Sequence, residues 1–320
     1  MTGTRWLITG GAGYVGAHVV RAVLASGREA VVVDDLSTGA RDRVPAGVAF
    51  LDGSVTDASF LTGVLQAVRP DGVVHLAAKK SPTESVSDPL RYARENVGGV
   101  TALATAALAA GVERIVFSSS CSVYGTPDVE LVREDAPLLP QSPYGDSKLY
   151  GERLLAAAAR AHGTGLVSLR YFNVAGTAEP ALADTGAHNL VPLALRALRS
   201  GTSPVVFGDD YPTPDGTCVR DYVHVEDLAE AHVRAAAALE LDLSTATYNV
   251  GRGEGSSVLE VLDALRRASG RDVAHEVRER RPGDPARVVG STERIEAELG
   301  WRARRDLDEM VSSAWRAAER

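Results

Sequence analysis

Cysteine is scarce: the 320 residues include two, Cys121 and Cys218, far apart and in no metal-ligand spacing. That argues against a disulfide-built secreted scaffold and a cysteine metal centre, and it fits a reducing, cytoplasmic setting. No apolar run approaches the roughly eighteen residues of a membrane span, so none is expected. The opening MTGTRWLITGG has no charged region followed by a long apolar stretch and reads as a first strand, not a signal peptide. Positive charge is not in excess either. A net charge of −8 gives nucleic acid no electrostatic reason to bind. There is no internal repeat and no low-complexity tail. What is present, 45% hydrophobic residues, suits a globular chain with a real core, as one large domain or a large and a small one.

Short β-branched apolar runs alternate with longer Ala/Leu-rich stretches. The runs RWLITG (5–10), AVVVDD (30–35), VAFLDG (48–53), GVVHLA (72–77), RIVFSSS (114–120) and LVSLRYF (166–172) predict strands. Their unbroken apolar character suits a parallel sheet covered on both faces. Helices are predicted over Val15–Ser26, Pro89–Ala110 and Pro143–His162, each followed by glycine. This rhythm argues for an α/β, doubly wound parallel sheet with ligands at the carboxyl ends of its strands. After Asn173 the pattern loosens into turn-rich segments around helices at Leu190–Leu198, His224–Leu239 and Ser257–Ala268, with a strand at TYNVG (247–251). Residues 1–173 read as a dinucleotide-type domain, with 220–240 packing back on it. Residues 174–320 read mainly as a smaller C-terminal α/β domain.

In ITGGAGYVGAH, Gly10, Gly13 and Gly16 follow a strand and open a helix. Glycines there let the backbone turn tightly and approach a pyrophosphate, which gains from the helix N-terminus. A glycine-rich turn without a ligand is the alternative, and Asp34 weighs against it. It ends the second strand about twenty residues on, where a carboxylate accepts from ribose hydroxyls and repels a 2′-phosphate. NAD is therefore the expected cofactor.

In SPYGDSK, Tyr144 and Lys148 share one helical face behind Pro143. A nearby ammonium favours phenolate, which would suit Tyr144 to general-base work. Alone the pair is weak, because such spacings arise by chance in many helices. The second feature is FSSSCSVYG, where Ser118 to Ser120 end an apolar strand. They could merely terminate it, or a hydroxyl there could orient a substrate alcohol opposite Tyr144.

The glycine turn, Ser120, Tyr144 and Lys148, then RYFNVAG and VRDYVHVEDLA, resemble the extended short-chain dehydrogenase/reductases over nearly the whole chain. With FGDDYPTPDGT they look most like the UDP-glucose 4-epimerase branch. The resemblance implies a Rossmann-like fold, tightly bound NAD, a UDP-sugar substrate and a homodimer pairing helices Pro89–Ala110 and Pro143–His162. It further implies that Tyr144 takes the proton of the sugar 4-hydroxyl beside Ser120 while the C4 hydride moves to the nicotinamide. The 4-keto sugar then turns, and its other face receives the hydride. Lys148 would lower the Tyr144 pKa and hold the nicotinamide ribose. Related 4,6-dehydratases carry an Asp-Glu pair after the serine or threonine, where this chain has Cys121 and Ser122; Cys121 reads as small buried filler.

Cofactor contacts carried over are Tyr14 and Val15 at the turn, and Asp35, Leu36, Ser37, Thr38 and Gly39 after the ribose acid. Leu76, Ala77, Ala78, Lys79 and Lys80 would line the cofactor, with Lys80 near a phosphate and also on the substrate side. Asn96, Ser118 and Phe172 would flank it. Ser54, with Val55, stands where the family usually has an acid near adenine, a weaker acceptor. On the substrate side the resemblance implies Asn173, Asn189 and Leu190, then Val205 and Phe207 at uracil. Arg220 and Arg281 would hold the diphosphate, and Asp284 the uridine ribose. At the sugar gate the alignment gives Val288, or Arg287 if a nearby length difference shifts it. A small residue there implies room for an N-acetyl group and turnover of UDP-N-acetylglucosamine. UDP-glucuronate 4-epimerase and a non-catalytic NAD sensor are the alternatives.

Overall fold

The computed structural model describes residues 3–186, 189–281 and 283–319. The chain begins with β1 (Arg5–Thr9), α1 (Tyr14–Ala25), β2 (Glu29–Asp34), β3 (Ala49–Asp52), α2 (Ala58–Val68) and β4 (Gly72–His75). Two short helices, α3 (Pro82–Ser87) and α4 (Pro89–Tyr92), lead through a π-helical turn at Ala93–Val97 into α5 (Gly98–Ala109). Next come β5 (Arg114–Ser120), α6 (Pro143–His162) and β6 (Gly165–Tyr171). These strands, with one later in the chain, form a seven-stranded parallel sheet.

Each strand is apolar throughout because both faces are covered. Trp6 and Ile8 point into one layer with Val19 and Val23 of α1, and Leu7 points into the other with Leu65, Leu103 and Leu155 of α2, α5 and α6. Each such buried Leu or Val stabilises the fold by about 1.5–3 kcal/mol. The bounds of α6 follow from local chemistry. The Ser142 hydroxyl accepts from Gly145 N–H at 3.2 Å, Pro143 sits in the first turn, and Gly163 stops the helix at φ 74°.

The remaining chain moves between two bodies. It forms β7 (Asn173–Ala175), α7 (Leu190–Arg199), β8 (Val205–Phe207) and β9 (Val219–His224), then α8 (Val225–Glu240) and β10 (Thr245–Val250). Then follow β11 (Gly255–Ser257), α9 (Val258–Ser269), β12 (Glu276–Arg278), β13 (Arg287–Val288), α10 (Glu293–Leu299) and α11 (Leu307–Ala318). Leu228 and Ala235 of α8 pack with α1, and β10 becomes the seventh strand, giving the order β10-β6-β5-β4-β1-β2-β3. Connections reverse between β1 and β4, the crevice where doubly wound sheets bind ligands. The smaller body centres on β9, which pairs with β7, β11 and β13. Helices α7, α9 and α11 cover it through Leu195, Leu265 and Trp315. Among the described residues no helix is long and apolar enough to cross a membrane.

The helix expected over Pro89–Ala110 is interrupted. The π-helical turn presents Asn96 to the Lys79 backbone: Oδ1 accepts from its N–H at 2.8 Å, and Nδ2 donates to its carbonyl at 3.0 Å and to Ser147 Oγ at 2.9 Å. These bonds compensate for the widened turn.

Candidate active site

Between β1 and α1 the backbone folds on itself so closely that side chains are excluded. A Cβ on Gly16 would stand 2.0 Å from the Gly10 carbonyl oxygen, and one on Gly10, at φ 72°, 2.8 Å from Ala77 N. No side chain caps α1, leaving its first-turn amides for an anion. Across the turn, Asp34 accepts from Ala12 N–H and Leu36 N–H, each at 2.9 Å. Burial pushes its carboxyl up, and these donors pull it back. The carboxylate retains lone pairs for ribose hydroxyls and would repel a 2′-phosphate. A cradle that tolerates no Cβ, an uncapped helix start and a fixed carboxylate fit NAD.

The cleft above this turn holds about 250 Å³ and ends at Tyr144 and Lys148, one turn apart on α6. Both are buried. Lys148 Nζ donates to the Ser118 carbonyl at 2.9 Å and lies 5.3 Å from the Phe117 ring centroid and 6.0 Å from that of Tyr144. Burial lowers the Lys148 amine to about 8, opposed by Glu152. Burial raises Tyr144 to about 12, opposed by hydrogen bonding with Ser120. The expected lowering of Tyr144 by Lys148 is thus not what governs the chain by itself. The ammonium is held by Ser118 and Phe117, and desolvation of the phenol outweighs it. Cys121 is pushed up to about 12, an unreactive thiol.

The residues expected on the substrate side lie on the smaller body and its seam. Arg220 of β9 donates to Asp284 Oδ1 at 2.9 Å, and the Arg281 guanidinium stacks 3.9 Å from the Phe207 centroid. Arg220 also lies near enough to Cys121, next to Ser120, to act on its thiol. Asn173 opens β7 opposite Tyr222 of β9, Asn189 precedes α7, Leu190 packs under it, and Val205 begins β8. Val288 packs among Val123, Tyr124, Leu149 and Phe172, whereas Arg287 Nε reaches the Glu130 carbonyl at 3.2 Å.

The profile of the family described as "NAD dependent epimerase/dehydratase family" matches residues 6–251. The chain belongs to this family. It is 46% identical over 316 residues to a UDP-glucose 4-epimerase of Azospirillum brasilense, covering 97% of this chain and 90% of that one. A solved UDP-glucose-4-epimerase of Stenotrophomonas maltophila, with bound NAD and formylated UDP-arabinopyranose, superposes with TM-score 0.94 at 37% identity over 99% of this chain and 98% of that one. A UDP-Glc/GlcNAc 4-epimerase of Campylobacter jejuni gives 0.89 at 34% identity, covering 99% of each chain. NAD is the cofactor that goes with this family.

The cleft of this family member gathers most of the residues singled out from sequence. Gly10, Gly13, Tyr14, Val15, Gly16, Asp34, Asp35, Ser37 and Thr38 line it, with Ser54, Val55, Leu76, Ala77, Ala78 and Lys80. Gly39 packs on the Ala12 backbone, and Leu36, at φ 55°, turns the chain after Asp34. Phe172 lies elsewhere, its ring in the cluster around Val288, and the preceding Tyr171 lines the cleft. Asn96, Ser118 and Ser120 are not on this lining, and sequence reasoning missed Arg43, Gly53, Glu95, Asp184, Thr185 and Gly186, which are. The chain has only three lysines, Lys79, Lys80 and Lys148, and all three line this cleft.

Proposed function

We propose that this chain is an NAD-dependent 4-epimerase of UDP-hexoses, interconverting UDP-glucose and UDP-galactose. The observation that carries the reading is the pairing of Tyr144 and Lys148 at the inner end of a cleft built for NAD, with the Ser120 hydroxyl close enough to act on Tyr144 and Arg220 close enough to act on Cys121 next to it. When bound, NAD⁺ supplies the acceptor and donor of the C4 hydride and a positive charge that lowers the cost of the Tyr144 phenolate. Tyr144 Oη takes the proton of the 4-hydroxyl and returns it after the sugar has turned. Ser120 Oγ bonds the same oxygens and keeps them in line. Lys148 keeps a positive charge below the phenolate. Arg220 and Arg281 anchor the diphosphate, so the sugar turns about a fixed point. Cys121 and Ser122 stand where an eliminating relative needs acids, so C4 inversion is favoured over water loss.

A second substrate rests on the alignment that puts Val288 at the sugar gate, where a short side chain would leave room for a 2-acetamido group; Val288 itself is buried against Phe172 and Leu149. On that reading UDP-N-acetylglucosamine is also a substrate, and turnover below about one-thousandth of that for UDP-glucose refutes it. A homodimer through α5 and α6 is supported by apolar exposure beside them: Leu90 at 75%, Val86 at 66% and Tyr150 at 44%. Two free cysteines suit the cytoplasm.

The test is incubation of the purified protein, without added NAD, with UDP-galactose, UDP-N-acetylglucosamine and UDP-glucuronate. UDP-glucose forming from UDP-galactose is the expected result. Turnover of UDP-glucuronate alone would transfer the assignment to that sugar acid, and no turnover at all would favour a binding protein.

A further inference from the structure

Thr9, His75 and Phe117 are paired neighbours on the adjacent strands β1, β4 and β5. Paired residues share a face of the sheet, so their side chains form one row across it. Thr9 Oγ1 lies 2.7 Å from His75 Nδ1. The His75 ring stacks on Phe117, centroids 6.0 Å apart and planes 17° from parallel. Lys148 Nζ then lies 5.3 Å from the Phe117 centroid. The row therefore runs, fully buried, from the residue before Gly10 to the ammonium of Lys148.

Gly151, three residues beyond Lys148 on α6, makes this arrangement possible. A Cβ at that position would stand 2.6 Å from Phe117 Cζ. Only a residue without a side chain lets the ring lie under the helix.

We propose that Phe117 is a positioning residue for the reaction: its ring face, backed by His75, holds the Lys148 side chain in its ammonium form beneath Tyr144. The inference rests on the reading of Lys148 as part of the catalytic set. An aromatic face carries negative charge and attracts a cation, the more so where water is excluded. Burial alone favours the neutral amine. The titratable groups around Lys148 leave this task to the ring, beside the Ser118 carbonyl that accepts from Nζ at 2.9 Å. On α6, Glu152 also favours the ammonium, but Arg170 of β6 holds its carboxylate at 2.6 Å, with Ser119 on the same group. Tyr171 on β6 is a phenol, and Tyr144 on α6 is one until bound NAD⁺ favours its phenolate, which then adds to the pull of the ring on the ammonium; Tyr92 of α4 meets Tyr144 edge-on, and His232 of α8 is taken by Ser118 Oγ at 2.8 Å. His75, lowered to about 3 by burial, stays neutral and brings no competing cation behind Phe117.

The test uses the NAD-loaded protein with Phe117 replaced by mono-, di- and trifluorophenylalanine, which drain the ring face of negative charge at nearly constant shape. Lys148 is titrated by carbon-13 NMR of its ε-carbon, a tractable signal with three lysines in the chain. The pKa of Lys148 is expected to fall stepwise, by about half a unit across the series, roughly a threefold change in the proton equilibrium. The alkaline limb of the turnover profile should move down with it, and Gly151→Ala, which displaces the ring, should shift the titration the same way. A Lys148 titration unchanged across the fluorinated series overturns the proposal. Because that titration needs no substrate, a wild-type protein without epimerase turnover would count against the functional reading alone.

Discussion

On the cofactor side of the cleft, polar groups are held by the fold. On the substrate side, they are held by one another. Asp34 is fixed by two backbone N–H groups, Lys148 by a backbone carbonyl and a ring, and Asn96 by both backbone groups of Lys79. Arg220 is paired with Asp284, and Arg281 lies on Phe207. Groups locked into secondary structure meet a ligand with little entropy left to lose. Groups paired with each other must exchange partners each time a ligand arrives. The first arrangement suits a cofactor that stays, and the second a substrate that comes and goes. The comparison predicts that changes on the two sides will separate in kinetics.

The largest effect should come from Tyr144→Phe. Loss of general acid–base transfer at this position is expected to lower kcat by about 10³-fold or more. NAD released on denaturation should match wild type, because Tyr144 spends no hydrogen bond on the glycine turn. Equal turnover in the two proteins would remove Tyr144 from the chemistry. Turnover and cofactor lost together would show that the two sides are not separable.

Acid should loosen the cofactor side first. Burial lowers His18, His224 and His232 to about 4 and His75 to about 3, against 6.5 for an exposed ring. Their folded pKa values are depressed, so between 6.5 and 4 the unfolded chain binds protons that the folded chain refuses. Stability is full above pH 6.5 and falls as the pH drops, by about 1–2 kcal/mol per histidine at pH 5. Asp221 of β9, pushed up to about 7 by burial, has the opposite sign and offsets roughly one of them. Its three backbone N–H donors, from Arg252, Gly253 and Gly290, limit even that gain. Thermal unfolding at pH 7.5 and 5.0, with bound NAD followed in parallel, checks this. An unchanged Tm would mean that the histidines are not held neutral.

Arg220→Ala should act mainly on KM. On the proposed reading it removes a charged donor to the diphosphate, and it leaves Asp284 without its partner. A rise in KM of about tenfold or more is expected, with kcat changed much less. Salt should weaken UDP binding in wild type more than in the variant. A fall in kcat at constant KM would place Arg220 in the transition state and break the division between the two sides.

Legibility followed the same division. The glycine turn, Asp34 and α6 were readable because each rests on local chemistry: tight backbone approach, a strand-end carboxylate, and a capped helix with proline first and glycine last. Contacts between distant segments were less so. Both faces of the large sheet are apolar, so alternation could not tell which of Tyr171 and Phe172 faces the cleft. The π-helical turn at Ala93–Val97 is set by Asn96 reaching Lys79 seventeen residues away, which helical periodicity does not encode. The strand ending in TYNVG gave no sign that it completes the large sheet, because that depends on α8 returning to pack against α1.

The smallest effect tests the softest point of the cofactor side. Ser54 lines the cleft, but its hydroxyl lies 2.9 Å from Thr56 Oγ1 and accepts from Thr56 N–H, so it serves its own turn. Ser54→Asp would place a charged acceptor where the family usually has one. A charged acceptor bonds about twice as strongly as a neutral one, but here it would join Asp34, Asp35 and Asp52. Lys79 offsets part of that repulsion, since its ammonium already lowers the Asp35 carboxyl and reaches Ser37 Oγ at 2.9 Å. The net expectation is slower NAD loss, by roughly threefold, with kcat unchanged. The NAD dissociation rate, read by exchange against labelled cofactor, decides it. Faster loss in the variant would mean that like charges win at this edge, and that serine is the better residue for a site already so acidic.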